Sequence, residues 1–157
     1  MLLKPDAVER SLVGRVVSKL EDAGLKIVGL KMAWVDKSFA LRYYTEDLAK
    51  RRGEHIRQGM ASFLTSGPVI AVAVEGVDAV ENVRKLVGAT EPKSAAPGTI
   101  RGDFSHMSFG HADSKKAVVK NLVHASSSKK EADAEVKLWF KSSELHKYKT
   151  VHDAHVL

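Results

Sequence analysis

An uninterrupted run of β-branched residues and alanines, Val69 to Val74, constrains the fold of this chain more than any other segment. A run of this kind, without alternating polar residues, is typical of a buried strand. It follows a loop at Ser66, Gly67 and Pro68, which gives the strand a clear start. The sequence therefore predicts a sheet with this strand in its interior.

The segments before this strand predict further strands and helices. Met1 to Leu3 is predicted as a short strand that ends at Lys4, Pro5 and Asp6. Helical spacing of apolar residues predicts a helix that Ser11 caps and Gly24 ends. Partial alternation from Leu25 to Val35 predicts a long strand. Two helices are predicted next, one that starts at Asp36 or Ser38 and one that contains Ile56, Met60 and Phe63.

The second half of the chain is less regular. A helix is predicted from Asp78 to Val87, and the stretch from Ala89 to Val118 has little periodicity. A loop this long inside a compact domain is usually functional or disordered. Asn121 to His124 is predicted as a short strand. Ser128 with Glu131 forms a capping-box pattern for a helix that ends at Phe140.

The predicted order of elements is β-α-β-α-α-β-α-loop-β-α, which indicates the α+β class. It fits a βαββαβ sandwich with added helices better than the strict alternation of a doubly wound sheet. The chain has no internal repeat and no sign of a second domain. Residues 1–157 are therefore expected to form one domain whose last part, about residues 141–157, is a polar tail.

The composition excludes several kinds of chemistry. The chain has no cysteine, which rules out disulfides, thiolate metal sites and cysteine nucleophiles and fits a reducing, cytoplasmic compartment. No apolar run approaches the roughly 18 residues that a membrane helix needs, so no membrane partner is expected. The formal net charge of +6 favours anionic partners such as phosphorylated small molecules or nucleic acid, although general solubility explains it equally well.

His124 is the first candidate for chemistry because it closes a short apolar run and is followed by Ala125 and three serines. This pattern places a histidine at a strand end, before a helix N-terminus whose free N–H groups attract anions such as phosphate. A neutral imidazole is a good nucleophile near pH 7. For a lone histidine, however, a structural role is the commoner explanation.

Glu135 makes a catalytic role for His124 more plausible than it would be for a lone histidine. It lies beside the inward stripe of Ala132, Val136 and Trp139 in the predicted last helix, and a carboxylate that points partly inward needs a partner. A carboxylate bonded to an imidazole fixes its tautomer and supports the positive charge that forms on attack. A surface glutamate paired with a lysine is an equally good explanation from the sequence alone.

Several cationic side chains lie outside helix interiors and could neutralise phosphates. Arg101 lies in a glycine-flanked segment, where the backbone can turn tightly and an arginine fork suits phosphate oxygens. Arg84 precedes the end of its helix, where Thr90 adds a hydroxyl, and Lys4 follows the first strand. Each one alone is more often a solvated charge, and the sequence does not show that they converge.

The sequence lacks the other common motifs for binding phosphate or metal. It has neither a Walker A loop nor a G-x-G-x-x-G fingerprint. The histidines lack the spacing of a zinc motif and have no cysteine partners, so zinc is a weak alternative. His152 and His155 are three residues apart and could bind a metal adventitiously.

Taken together, these segments resemble the nucleoside diphosphate kinase family from Lys4 to about Leu145. The resemblance rests on KPDAVER at Lys4, SGPV at Ser66, VGATEP at Val87, APGTIRGDF at Ala96 and NLVHAS at Asn121. It implies a ferredoxin-like αβ sandwich with a four-stranded antiparallel sheet. It also implies ping-pong transfer of the γ-phosphate from a nucleoside triphosphate to a diphosphate, with Mg²⁺, by a homo-oligomer that is a hexamer rather than a tetramer.

The resemblance also assigns roles to residues. By the matching motifs, His124 is the phosphorylated histidine, Glu135 supports it, and Ser126 is the nearby serine. The matches for nucleotide binding are Arg84, Thr90 and Arg101 for phosphates, Tyr44 as the active-site tyrosine, and Lys4 and Asn121 for the ribose and phosphates. No direct protein ligand for the metal is expected, since Mg²⁺ would be held mainly by the nucleotide phosphates.

The chain departs from the family pattern at several positions. Ala7 and Ala125 replace glycines, and Ser127 replaces an aspartate, so any help that this carboxylate gives to Mg²⁺ is missing. Ile56 stands at the usual aromatic base-stacking position, with Val118 as an apolar wall opposite, so the grip on the base should be weaker. The segments 44–59 and 105–120 are both longer than usual.

Two competing functions stay open at this point. A nucleic-acid-binding protein on the same fold would explain the positive charge, but such sheets carry exposed aromatic residues and only 6% of this chain is aromatic. A family member that binds nucleotides without turnover is supported only by the departures at positions 7, 56, 125 and 127.

Overall fold

The structure is a computed structural model that describes residues 1–156. In this part of the chain four strands form one sheet: β1 at Leu2–Leu3, β2 at Lys26–Ala33, β3 at Val69–Glu75 and β4 at Val123–His124. Their order is β2-β3-β1-β4, and every neighbouring pair is antiparallel. This arrangement is the expected ferredoxin-like α+β fold, with the apolar run as an interior strand.

Helices account for most of the remaining described residues. Those before β3 are α1 at Pro5–Glu9, α2 at Val13–Asp22, α3 at Lys37–Tyr43, α4 at Glu46–Arg52 and α5 at Glu54–Leu64. Those after β3 are α6 at Ala79–Val87, α7 at Ile100–Phe104, α8 at Phe109–Ser114, α9 at Lys129–Trp139 and α10 at Asp153–Val156. Short 3-10 helices lie at Pro92–Ser94 and Ser142–Glu144.

The sheet has an apolar core on each face, which explains why β3 is apolar from Val69 to Val74. Ile70 and Val72 pack into one core with residues of α2, α6 and α7. Val69, Ala71 and Ala73 pack into the other core with residues of α3, α5 and α9. Because successive side chains of a strand point to opposite faces, a strand covered on both faces has no polar positions.

The prediction that a helix begins at Ser11 is wrong. Pro5 opens a separate helix, α1, since the fixed φ of proline suits the first helical position. Ser11 then adopts a left-handed backbone conformation with φ of 56°, and α2 begins two residues later without a side-chain cap. The strand predicted from Leu25 to Val35 is present as β2 with shorter ends.

The stretch from Ala89 to Val118 is not the structureless loop that its weak periodicity predicted. It contains a 3-10 helix and the helices α7 and α8. Thr99 caps α7 by accepting from the N–H of Gly102, and Ser108 caps α8 by accepting from the N–H of His111. Five- and six-residue helices are too short to show a period, so the sequence did not predict them.

The polar tail packs along β2. Tyr148 donates its hydroxyl to the carbonyl of Ile27 at 2.6 Å, and the N–H of His146 donates to the carbonyl of Val28 at 2.8 Å. Lys26, whose side chain is nearly buried, pairs with a carboxylate at each end of this contact: Glu75 at 2.9 Å and Asp153 at 3.4 Å. The tail therefore covers the start of the edge strand.

Among the described residues there is no helix long and apolar enough to cross a membrane.

Candidate active site

His124 lies at the end of β4 and is preceded by an unusual backbone turn. Leu122 has φ of 70°, a left-handed conformation that costs a residue with a side chain roughly 1–2 kcal/mol. Two contacts hold it there: its N–H donates to Oδ2 of Asp6 at 3.0 Å, and its carbonyl accepts from the N–H of Lys4 at 2.8 Å. The start of α1 therefore fixes the backbone that presents the histidine.

Arg101 holds the same segment from the other side. Its guanidinium is buried and donates from Nε to the carbonyl of Asn121 at 3.1 Å and from Nη2 to that of Val123 at 2.7 Å. Nη1 donates to the carbonyl of Gly88 at the end of α6, at 3.0 Å. Burial and then the neighbouring Arg84 lower the pKa of Arg101 to about 10, so the guanidinium stays charged at neutral pH.

The imidazole of His124 is paired with Glu135 of α9. Nε2 lies 2.7 Å from Oε1 of Glu135, and Ser126 donates its hydroxyl to Oε2 of the same carboxylate at 2.5 Å. Burial raises the pKa of Glu135, but the contacts with His124 and Ser126 outweigh it and hold that pKa below its usual value. Glu135 is therefore an anion that faces the histidine.

Lys4 is a buried cation in the same pocket. Its Nζ donates to Oδ1 of Asn121, whose amide in turn donates to the carbonyl of Thr90 at 2.7 Å. Burial lowers the pKa of Lys4 to about 8; the charge of Asp6 opposes this shift and the charge of Arg101 adds to it. An anion that enters the pocket would therefore restore the full charge of this lysine.

One pocket collects most of the residues that the sequence singled out. Its walls carry His124 and the predicted phosphate and ribose binders Lys4, Tyr44, Arg84, Thr90, Arg101 and Asn121. Ser126 and Glu135 lie behind His124 and line a separate cavity. The four cations of the wall, counting Arg51, form a basic site whose shape suits a phosphate chain.

A second pocket continues from the first and shares Lys4, Arg51, Thr90 and Asn121 with it. Ile56 and Val118, the two residues predicted to contact the base, both line this second pocket. It lies between α4–α5 and the segment around α8.

Sequence reasoning missed three residues that the fold places at these pockets. Arg51 belongs to α4 and lines both pockets. Phe109 opens α8 and lines the second pocket, with Glu91 accepting from its N–H at 2.9 Å. Glu131 lines the first pocket. The only sequence signal identified near any of them was the capping-box pattern of Ser128 and Glu131.

Glu131 is a carboxylate in an otherwise basic pocket. The capping box predicted for it is half formed: Ser128 accepts from the N–H of Glu131 at 3.2 Å, but the Glu131 carboxylate accepts from the N–H of Ser127 at 2.6 Å and from its hydroxyl. His124, Glu131 and Glu135 each offer a ligand atom within 4.8 Å of the others. Oxygen donors of this kind fit the shell of a hard cation such as Mg²⁺.

The fold and the pocket together define an enzyme that handles nucleotide phosphates. The family model described as nucleoside diphosphate kinase matches residues 1–145. Nucleoside diphosphate kinases from Borreliella burgdorferi and Pyrococcus furiosus are 46% and 44% identical to the chain over 149 and 148 residues. These alignments cover 94% of this chain in both cases and 89% and 85% of the two relatives.

Solved structures agree with that assignment. A transition-state mimic of the Borrelia burgdorferi enzyme with bound vanadate and ADP superimposes with a TM-score of 0.96 at 44% identity, covering 99% of this chain and 93% of that one. The Halobacterium salinarum enzyme in complex with CDP gives a TM-score of 0.82 at 39% identity, covering 98% and 93%. The chain belongs to the nucleoside diphosphate kinase family and is a phosphotransferase that acts between nucleoside tri- and diphosphates.

Proposed function

We propose that the phosphate passes through His124, whose pairing with Glu135 is the observation that carries this mechanism. Because Nε2 faces the carboxylate at 2.7 Å, Nδ1 is the nitrogen left to attack the γ-phosphorus. A bond forms from Nδ1 to phosphorus, the bond to the bridging oxygen breaks, and the diphosphate leaves with that electron pair. The second half-reaction reverses these steps on another diphosphate.

Glu135 and Ser126 support the histidine in this proposal. The carboxylate keeps the proton on Nε2 and offsets the positive charge that spreads over the ring when Nδ1 is phosphorylated. Ser126 holds the other carboxylate oxygen at 2.5 Å, so that Glu135 keeps its direction. No proton needs to leave the ring at either step.

Lys4, Arg84, Arg101 and Thr90 bind the phosphate chain in this proposal. The transition state of phosphoryl transfer spreads charge over the phosphate oxygens, so positioned cations supply most of the catalysis. Lys4 and Asn121 also contact the ribose, and Tyr44 lies against the sugar and phosphates at the same wall. Each of them faces a part that all nucleotides share, which fits loose base selection.

The base lies in the second pocket, between Ile56 and Val118. Both are aliphatic, so they offer apolar contact but no stacking platform. Phe109 lines the same pocket and adds an aromatic ring from α8, near Arg52, whose guanidinium lies 5.9 Å from the ring centroid. Phe109 therefore provides the aromatic contact that the aliphatic Ile56 does not offer at the base-binding position.

Mg²⁺ accompanies the nucleotide, held mainly by the phosphate oxygens. When bound, it neutralises charge that develops on the transferred group. Glu131 is the residue best placed to meet its water shell, because this carboxylate lines the phosphate pocket beside Ser127, where the family aspartate is absent. Without a cation, Glu131 would repel the incoming phosphates.

We also propose that the protein works as a homo-oligomer in the cytoplasm, where its nucleotide substrates occur. The edge strand β2 exposes Leu30 and Met32 beyond the part that the tail covers. Trp34 follows the strand at the same two-residue spacing and is 70% exposed. An exposed apolar edge of this kind normally has a partner. A hexamer remains the expected assembly from the family resemblance.

The mechanism is tested by phosphorylation without an acceptor. Wild-type protein incubated with γ-labelled ATP and Mg²⁺ should retain an acid-labile, base-stable phosphate that added GDP removes as GTP. His124→Ala should still bind ADP but retain no label, whereas Glu135→Ala should be labelled more slowly. Label on His124→Ala would overturn the mechanism. Nucleotide binding without label in wild type would instead indicate a family member that binds without turnover.

A further inference from the structure

A buried hydroxyl next to the proposed catalytic pair has no assigned role. Tyr43 is the last residue of α3, and its hydroxyl oxygen is buried without a hydrogen-bond partner within residues 1–156. Leaving such a group unpaired costs roughly 1–3 kcal/mol, so a buried phenol without a partner calls for an explanation. The family resemblance assigns a role to the following tyrosine, Tyr44, but none to Tyr43.

The ring of Tyr43 is fixed between two other rings. It meets the imidazole of His124 edge to face, with centroids 5.5 Å apart and planes at 80°. It meets the indole of Trp139 in the same way, at 5.5 Å and 77°. Edge-to-face contacts at this distance are favourable, and together they leave the ring little freedom. The hydroxyl is therefore held in one place relative to His124.

The acceptor that this hydroxyl faces is the Glu135 carboxylate. Tyr43, Ser126 and Glu135 line the same cavity. Burial raises the pKa of Tyr43 well above its usual value, and the negative charge of Glu135 raises it further, so the phenol keeps its proton and can only donate to a carboxylate. Glu135 already accepts from Ser126 and faces His124, but its two oxygens have about four lone-pair sites. A third donor can therefore be accommodated.

We propose that Tyr43 is a positioning residue that donates its hydroxyl to Glu135 and keeps this carboxylate directed at Nε2 of His124. The need for this bond is greatest when the imidazole becomes positively charged on phosphorylation. Ser126 and Tyr43 then hold Glu135 from two sides, as second partners of a catalytic group commonly do. This inference rests on the proposed role of the His124–Glu135 pair.

The test uses the same chemical change at two tyrosines. Tyr43→Phe removes the hydroxyl beside Glu135, and Tyr148→Phe removes an exposed hydroxyl that bonds to the carbonyl of Ile27. We expect single-turnover labelling of Tyr43→Phe by γ-labelled ATP to slow by about 10-fold, the usual effect of losing a bond to a charged group. Its affinity for ADP should be unchanged. Its melting temperature should change little, since the hydroxyl has no hydrogen-bond partner in the unphosphorylated protein. Tyr148→Phe should label at the wild-type rate.

A double-mutant cycle distinguishes positioning from packing. If Tyr43 acts through Glu135, Tyr43→Phe should lower the labelling rate by about 10-fold when it is introduced into the wild-type protein. Introduced into Glu135→Ala, it should leave the labelling rate unchanged. If Tyr43→Phe lowered the labelling rate equally in wild type and in Glu135→Ala, or did not lower it in wild type, the inference would be overturned. Neither result would affect the proposed mechanism, which fails only if wild type is not labelled or His124→Ala is.

Discussion

At the scale of single residues, the structure shows how burial prepares charges for an anionic ligand. Lys4 is buried against Asn121, and burial lowers its pKa to about 8. In the folded protein the lysine therefore loses its proton at a pH where the unfolded chain keeps it. The contribution of this group to stability is unfavourable below pH 8 and disappears as the pH rises toward 10.5.

Nucleotide binding should reverse this shift and take up a proton. At pH 8.5 the phosphates of ADP are ionised and a large part of Lys4 is neutral, so binding should recharge the amine. Calorimetry of ADP binding in buffers of different ionisation enthalpy should reveal uptake of up to about one proton per site. Lys4→Met should bind more weakly with no such uptake, and equal uptake in this variant would assign the proton to another group.

At the scale of elements, the base pocket depends on how closely α5 approaches the segment after α8. Gly59 of α5 lies so near Val118 that an added Cβ would be 3.0 Å from its Cγ1. A side chain at this position would displace Val118, the proposed apolar wall of the base pocket. The approach of the two elements therefore sets the width of the base pocket.

Gly59→Ala should weaken nucleoside binding without harming the fold. Alanine favours a helix over glycine by up to about 1 kcal/mol, so stability should not fall greatly, but KM for diphosphates should rise several-fold. Binding of inorganic triphosphate, which has no base, should be unchanged. Gly14→Ala in α2 is the matched control, because an added Cβ there meets nothing within 4 Å. A similar KM for both variants would contradict the proposed position of the base.

At the scale of the whole molecule, the exposed apolar side of β2 is the clearest sign of assembly. Met32 is 60% exposed and lies between Leu30 and Trp34 on an edge strand. The indole of Trp34 is held in place by a hydrogen bond to the carbonyl of Thr65 at 3.0 Å. A fixed apolar surface on a strand edge suits association with a second copy of this chain.

Met32→Glu should reduce the molar mass of the protein in solution. A charge buried at a subunit contact is costly, so light scattering should show smaller species than wild type at the same concentration. Val77→Glu is the control, since Val77 is 55% exposed but lies outside β2. A monomeric wild-type protein would contradict the proposal that the chain forms an oligomer. An unchanged molar mass for Met32→Glu would show that the subunit contact does not involve this side of β2.

Local patterns along the chain predicted the features that depend on neighbouring residues. The apolar run of β3, the cap at Ser128 and the position of His124 after a short strand all follow from local composition and period. The ferredoxin-like fold could be predicted because motifs spread along the chain resemble one family. The short helices between Ala89 and Val118 could not, since no period can show in so few residues.

Which side chains meet, and in what state of charge, depends instead on long-range packing. Lys4, Arg101 and Glu135 come from three distant segments, and each is a common surface residue until the fold places it at the site. There Lys4 and Arg101 are buried and Glu135 is partly buried. The left-handed Leu122 has no sequence signal either, because the contacts that hold it come from Asp6 and Lys4, more than 115 residues earlier. Burial and long-range contact, which no local pattern encodes, therefore make the site.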